Sequence, residues 1–332
     1  MIIFRKDISP AEWDKHIKNL PSHTFLYTTL ALDYYKETSR FFQKDLSFIM
    51  VENGKCRVAA PLFLEEINGK KSFTSNGSHF PAPLVALSER YKITERLMDN
   101  AIAAIKEMAD QEGVKNIQMR LDPLVNPDAA HKIYNYNPLM KHGFTNTSIT
   151  TRIIDLRPDL QELHTDLPRG TKAKIRQAAE IYNAEWYNAN NISNEVFTTY
   201  QAMHRKAAGR ITRPLKSFEI MHDWIKQDQG YLQLIYMDKN PVNAIIIFST
   251  GGKAYYASGA DNPEINFPKP IGHFAHWSII NSLKNEGNTH YEIGWQQFSK
   301  QPYDSPTDKD ISISFFKSLF GGYNAPLFRG EF

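Results

Sequence analysis

Two arginines in MHRKAAGRITRP, Arg205 and Arg210, carry the side chains best suited to gripping an anion, with His204 beside them. A guanidinium fork pairs bidentately with phosphate, so either could hold the diphosphate of a nucleotide sugar. Both close a predicted helix, where a cation also meets the negative end of the helix dipole; a structural role therefore stands beside the binding role. Arg169, Lys172 and Arg176 recur at i, i+3 and i+7 and form one basic stripe on another predicted helix. That stripe suits a polyanion such as tRNA, or simply water. Tyr255 and Tyr256 are successive residues of a predicted strand and face opposite ways, so one belongs to the core and the other is free to line a cleft. Trp295 ends the strand HYEIGW at the open end of a predicted sheet, where ligands often bind and where tryptophan packs as readily.

Other groupings offer less. His273 and His276 are three apart on a helix with no third ligand nearby, so no metal is expected. Cys56 lies on a strand and reads as a core residue. Asp304, Asp308 and Asp310 lack the spacing of a calcium loop and equally suit helix caps before Ile311. Neither a Walker loop nor a G-x-S-x-G elbow is present.

The elements that must position these residues come in two similar series. In the first half, Leu46–Gly54 reads as a strand ending in an Asn-Gly turn, KCRVAAPLFLEEI as a second strand, and KSFTS as a third after Asn68-Gly69. The Pro-rich loop HFPAP follows, then a helix from near Ile93, whose apolar residues Ile93, Leu97, Ala101, Ala104, Ile105 and Met108 share one face. Gly113 stops it before the strand VKNIQMRL. The second half repeats the order: YLQLIYM, a turn at Asp238–Pro241, VNAIIIFS, Gly251-Gly252, KAYYASGA, the loop DNPEINFPKP, a helix over 271–286, then HYEIGW. Helical segments precede each series, and a short helix, a basic residue and a Gly-marked strand follow each, as NPLMKHGF and SFFKSLFGG. Duplication explains two such series in register.

A length of 332 residues agrees with two compact units. Apolar residues at 42% and charged residues at 23% exclude a fibre or a disordered tail. A net charge of +3 is too small for a dedicated nucleic-acid binder, and no DNA partner is expected, although a local basic patch is compatible with it. One cysteine excludes an internal disulfide framework and fits a reducing compartment. The apolar runs are far short of the roughly 20 residues of a membrane helix, and MIIFRKDISP lacks the layout of a secretory signal. The expectation is a soluble, cytoplasmic protein.

A hairpin meander, a helix, a strand and a "KxGF" return resemble the acyl-CoA N-acetyltransferase (GNAT) superfamily, and the doubled copy resembles the FemABX aminoacyl transferases of the peptidoglycan bridge. Carrying the resemblance are LPRGTKAKIRQAAE, KAYYASGA, PIGHFAHWSIINSLKNEG with YEIGW, and ISFFKSLFGG, which matches a C-terminal "FKxxFGG" element. The fold this implies is α/β (α+β), two tandem GNAT-like domains, each a mixed, mostly antiparallel sheet flanked by helices. Residues 1–150 would form an N-terminal domain that binds substrate or is a structural copy. Residues 151–332 would form a C-terminal, donor-binding domain whose last strand returns to the first. The resemblance implies that Lys317 sits near the acyl carbonyl or an adjoining phosphate, as a fixed cation for oxyanion charge. It also implies that Tyr256 contacts substrate. Where GNAT proteins carry a Q/R-x-x-G-x-G/A pyrophosphate loop, this chain has PKPIGHFAHW with one glycine, Gly272, next to His273 at a helix N-terminus that still offers unpaired N–H groups. The first-half stretch HFPAPLVALSERYK lacks the loop, and the long helical arm of some Fem proteins is absent.

The function implied is acyl transfer to an amine in a direct ternary complex. No cofactor is bound tightly; the donor, aminoacyl-tRNA or acyl-CoA, is a co-substrate. Acceptors would be peptidoglycan precursors, amino sugars or other small molecules. Acyl-CoA-dependent N-acetyl transfer is one alternative, and a non-catalytic ligand-binding module with a degenerate GNAT fold is another.

Overall fold

The computed structural model describes residues 1–20, 22–88, 90–127 and 136–332; Glu89, inside the HFPAPLVALSERYK stretch, lies outside the described residues. The chain divides into two units, Met1–Ile149 with Pro326–Phe332, and Thr150–Ala325. Among the described residues no helix is long and apolar enough to cross a membrane.

The first unit runs β1 (Ile2–Phe4), α1 (Pro10–Lys18), α2 (Thr29–Thr38), β2 (Phe42–Asp45), β3 (Phe48–Glu52), β4 (Lys55–Ala60), β5 (Phe63–Ile67), β6 (Lys70–Phe73), β7 (Phe80–Pro81), β8 (Leu84–Val85), α3 (Tyr91–Glu112), β9 (Gln118–Arg120) and β10 (Thr145–Asn146). The Asn-Gly hairpins form as expected: Asn53 and Gly54, and Asn68 and Gly69, all have positive φ, the backbone that tight two-residue hairpins require. KCRVAAPLFLEEI, however, is not one strand. It breaks at Pro61-Leu62 into β4 and β5, which belong to different sheets, β1-β3-β4-β8 and β2-β5-β6. Pro61 has no N–H for a ladder, and the N–H of Leu62 donates to Ser47 Oγ at 3.0 Å. Helix α3 buries Leu97, Ala101 and Ile105, the face that its spacing marks, and ends at Gly113 with φ +72°.

The second unit runs β11 (Ile149–Asp155), α4 (Leu160–Thr165), α5 (Arg169–Ala179), β12 (Tyr182–Tyr187), α6 (Asn194–Ala208), α7 (Leu215–Lys226), β13 (Gly230–Met237), β14 (Asn240–Thr250), β15 (Lys253–Asp261), α8 (Ile271–Asn285), β16 (His290–Gln296), α9 (Asp308–Ser318) and β17 (Tyr323–Leu327). Its strands form one sheet, β12-β13-β14-β15-β16-β11-β17. Every register recorded in it is antiparallel except β15 with β16. One face of that sheet buries Ile245, Ile247, Tyr291 and Ile293 with Ala275, Ile279, Ile280 and Leu283 of α8. On the other, Trp224 of α7 meets Phe248, which in turn meets Tyr255. The α4, β12 and α7 segments carry no signal singled out in the sequence reading.

The chain then returns. β18 (Arg329–Glu331) completes the first unit's third sheet, β10-β18-β9-β7, pairing antiparallel with β9 and β10. A mixed, mostly antiparallel α+β architecture is thus observed in both units.

Candidate active site

The parallel contact recorded in the large sheet is short. β15 and β16 pair at Lys253↔His290, Ala254↔Tyr291 and Tyr255↔Glu292 only. Both strands continue, to Asp261 and Gln296, but β15 stays with β14 and β16 with β11, so the sheet splays beyond Tyr255 and Glu292. Each strand is irregular beside the split. The register against β14 leaves Ala257 unmatched, and the register against β11 leaves Ile293 unmatched. Bulges of this kind re-aim side chains next to functional sites.

Lys317 lies at this split. Gly294, two residues past the last parallel pair, has φ +113°, and a β-carbon there would collide with Lys317 Nζ. The ammonium therefore rests on bare backbone, where a side chain would have to displace it and the positive φ favours glycine. Lys317 is half-buried, and burial lowers its pKa from the ordinary 10.5, opposed by the charge of Glu292. Glu292 is itself held by the Thr151 hydroxyl. No hydrogen bond or ion pair joins Lys317 to any of the described residues, whereas Arg5, Lys44 and Lys141 all meet carboxylates. A half-buried cation that no carboxylate contacts directly is costly to hold.

Around it stand other polar groups without partners. His276 packs between Tyr256 (centroids 5.6 Å apart) and the rings of Phe316 (5.5 Å) and Phe320 (5.1 Å). Its Nδ1 is buried and unbonded, and burial together with the Lys317 charge pushes its pKa down to about 3, so the ring is neutral near pH 7. Tyr291 hydroxyl and His273 Nε2 are also buried without partners. Burial holds the Tyr256 phenol up at about 12. Buried polar atoms are rarely left unbonded, and such a cluster marks a place that something else completes.

Four of the residues singled out in the sequence thus come together here: Lys317, Tyr256, His273 and Gly272. Tyr255 takes the core position opposite. Gly272 has a packing reason to be glycine, since a β-carbon would lie 3.1 Å from Phe316 Cζ. The N-cap of α8 is Pro270, with no side chain closing the helix end. Trp295 is exposed and adjoins Gly294. Among the described residues no contact ties Arg205 and Arg210 to this cluster; both are exposed near the end of α6 and make no ion pair or hydrogen bond with the described residues. The arginine that reaches the sheet is Arg213, with Nη2 3.5 Å from Ser258 Oγ on β15. Arg169 and Arg176 are exposed, and Lys172 donates to Thr165 O at 2.7 Å. Asp310 closes a capping box with Thr307, as the capping alternative expects. His276, Tyr291, Glu292 and Gly294 were not singled out as site residues. From sequence His276 suggests only a metal ligand, and nothing in YEIGW announces a lysine amine above its glycine.

No protein-family model matches the sequence, and no curated protein matches it. Solved structures do. FemX superposes with a TM-score of 0.69 at 15% identity, over 99% of this chain and 96% of that one. L-PGS from Bacillus licheniformis gives 0.61 at 11% identity, over 97% and 91%. A C-terminal DUF2156 domain from Agrobacterium fabrum, assigned to a lysylphosphatidylglycerol synthetase, gives 0.60 at 12%, over 97% and 92%. At these identities the likeness concerns fold, and in fold this chain is similar to FemX.

Proposed function

We propose that this protein is an acyltransferase that joins an activated aminoacyl or acyl group to an amine, with its chemistry at the splay of the second unit. The observation that carries the reading is the Lys317 ammonium, half-buried, joined to no described residue by a hydrogen bond or ion pair, and seated on the backbone of Gly294 where β15 and β16 part. In the reaction the acceptor nitrogen attacks the carbonyl carbon and the C–N bond forms. The carbonyl electrons move to oxygen, and Lys317 stabilises the resulting oxyanion. As the C=O bond re-forms, the ester C–O or thioester C–S bond breaks. The leaving group carries off that electron pair and a proton, and the ammonium formed by attack gives up its own. No covalent enzyme intermediate is needed; holding both reactants together supplies much of the rate.

The preferred donor is aminoacyl-tRNA, and the acceptor an amine of a peptidoglycan precursor or amino sugar. Acyl-CoA is the second reading of the donor, favoured by the uncapped N-terminus of α8, whose first N–H groups suit a phosphate. Incubation of the protein with labelled aminoacyl-tRNA or acetyl-CoA and a panel of such amines should give product with one donor. Lys317→Ala should lower turnover ten-fold or more while the melting temperature stays within a few degrees. Unchanged turnover would remove Lys317 from the mechanism, and no product with either donor would leave a binding module.

A further inference from the structure

A cavity of about 570 Å³ lies in the first unit, lined from α1 and from the end of the β3–β4 hairpin. Small-molecule sites span about 300–1,000 Å³, so the space admits a whole ligand. Glu12 and Lys15 line it from α1, Lys55 and Arg57 from β4, and Leu20 and Leu87 supply an apolar wall.

The strand is bent to present its cations. Successive residues of a regular strand alternate between faces, yet Lys55, Cys56 and Arg57 all line the cavity. The cause is a bulge: the register of β3 with β4 passes from Met50↔Val58 to Val51↔Cys56 and leaves Arg57 unmatched. A bulge of this kind re-aims a side chain. Arg57 is half-buried and Lys55 exposed, and neither side chain forms a hydrogen bond or ion pair with any of the described residues. Other cations of this unit do: Arg5, Lys44, Arg96 and Lys141 all meet carboxylates. Glu52, opposite Lys55 in the hairpin, is held by Arg96 at 3.1 Å. Among the described residues Glu12 is the only carboxylate on the lining, and it forms no ion pair. Lys15 also complements the C-terminal end of the α1 dipole, so the strand pair carries the assignment. A guanidinium fork grips phosphate bidentately, and an ammonium beside it adds a point charge.

We propose that this cavity binds the diphosphate group of a small molecule, held by Arg57 and Lys55 with Lys15 adding charge. The site does not rest on the transfer reaction proposed for the second unit. Calorimetry on the full chain with inorganic pyrophosphate, ADP and citrate tests it. Pyrophosphate should bind saturably and at least ten-fold more tightly than citrate, a carboxylate polyanion. Arg57→Ala should weaken pyrophosphate about ten-fold or more, the scale of a lost charged hydrogen bond. Lys55→Ala should weaken it by a smaller factor, and Lys317→Ala should leave it unchanged. ADP tighter than pyrophosphate would assign a nucleotide as the source of the diphosphate, and the reverse order a free diphosphate; either supports the site when Arg57→Ala weakens both. Citrate as tight as pyrophosphate would overturn the assignment of phosphate. No saturable heat with pyrophosphate or ADP, or affinities that Arg57→Ala and Lys55→Ala leave unchanged, would overturn the cavity as the site. Should Arg57→Ala fail to fold, Lys55→Ala decides, because that side chain is exposed. Lys317→Ala removes the transfer reaction alone, so failure of one reading leaves the other standing.

Discussion

The two units share a strand order that their sheets conceal. In the second unit it reads β12-β13-β14-β15-β16-β11-β17 without interruption. In the first, β1-β3-β4-β8 and β7-β9-β18-β10 give the same sequence of roles once β8 and β7 are taken as two pieces of one strand. The parallel pair falls at the same place, β15 with β16 and β7 with β9, and each pair flanks the unit's long helix, α8 or α3. What differs is local. Ala82-Pro83 severs the first unit's strand at the splay, and the β5–β6 hairpin with β2 is inserted before it. The second unit keeps an unbroken β15 and places Lys317 at the split. One fold thus supports a splay lined with unbonded polar atoms in one copy and an apolar pocket in the other; side chains rather than topology decide the use.

The most severe way to break this equivalence is to remove its sixth strand. Deleting Arg329–Phe332 takes β18 from between β9 and β10 and should abolish cooperative unfolding of the first unit. Amide exchange should then show loss of protection in β9 and β7 while β13–β16 stay protected; protected β9 amides would show that β18 is dispensable. A smaller effect is expected from Gly294→Ala. Positive φ and the collision with Lys317 together should cost about 1–3 kcal/mol, measured by urea unfolding, and should displace the ammonium. Asp122, the matching position, already carries a side chain, so Asp122→Ala should show no such backbone penalty. The mildest test uses pH. His276 and, in the first unit, His79 both have folded pKa values of about 3 against an ordinary 6.5. Between those values the unfolded chain takes up protons that the folded chain refuses, so stability should be level above pH 6.5 and fall as pH drops toward 3. Replacing either histidine with Phe should flatten that acid slope. Lys317 is depressed from 10.5, so turnover should decline on the alkaline side below that value, and stability should rise with pH in the same window.

Much of this was legible in order and punctuation. Glycine stops, Asn-Gly turns and helical spacing announced α3, α8 and their flanking strands, and ISFFKSLFGG pointed to Lys317. The break at Pro61 was visible as a proline yet was read through, because the apolar run on both sides continues. His276 escaped because its meaning depends on Tyr256, Phe316 and Phe320, which meet it only through folding. Arg213 escaped for the opposite reason: Arg205 and Arg210 offer the same chemistry a few residues away, and only the path of the chain before α7 selects which one reaches β15.

The origin of β18 has a consequence for synthesis. The interior strand of the first unit's third sheet is made only after all of Thr150–Ala325. At ~5–20 residues per second that interval is on the order of ten to thirty seconds. Throughout it, β9 and β10 on the nascent chain lack the neighbour that joins them, and their open edges are templates for any stray strand. The earlier-made half must therefore await a strand made after the second unit, and chaperone dependence should be concentrated in that half.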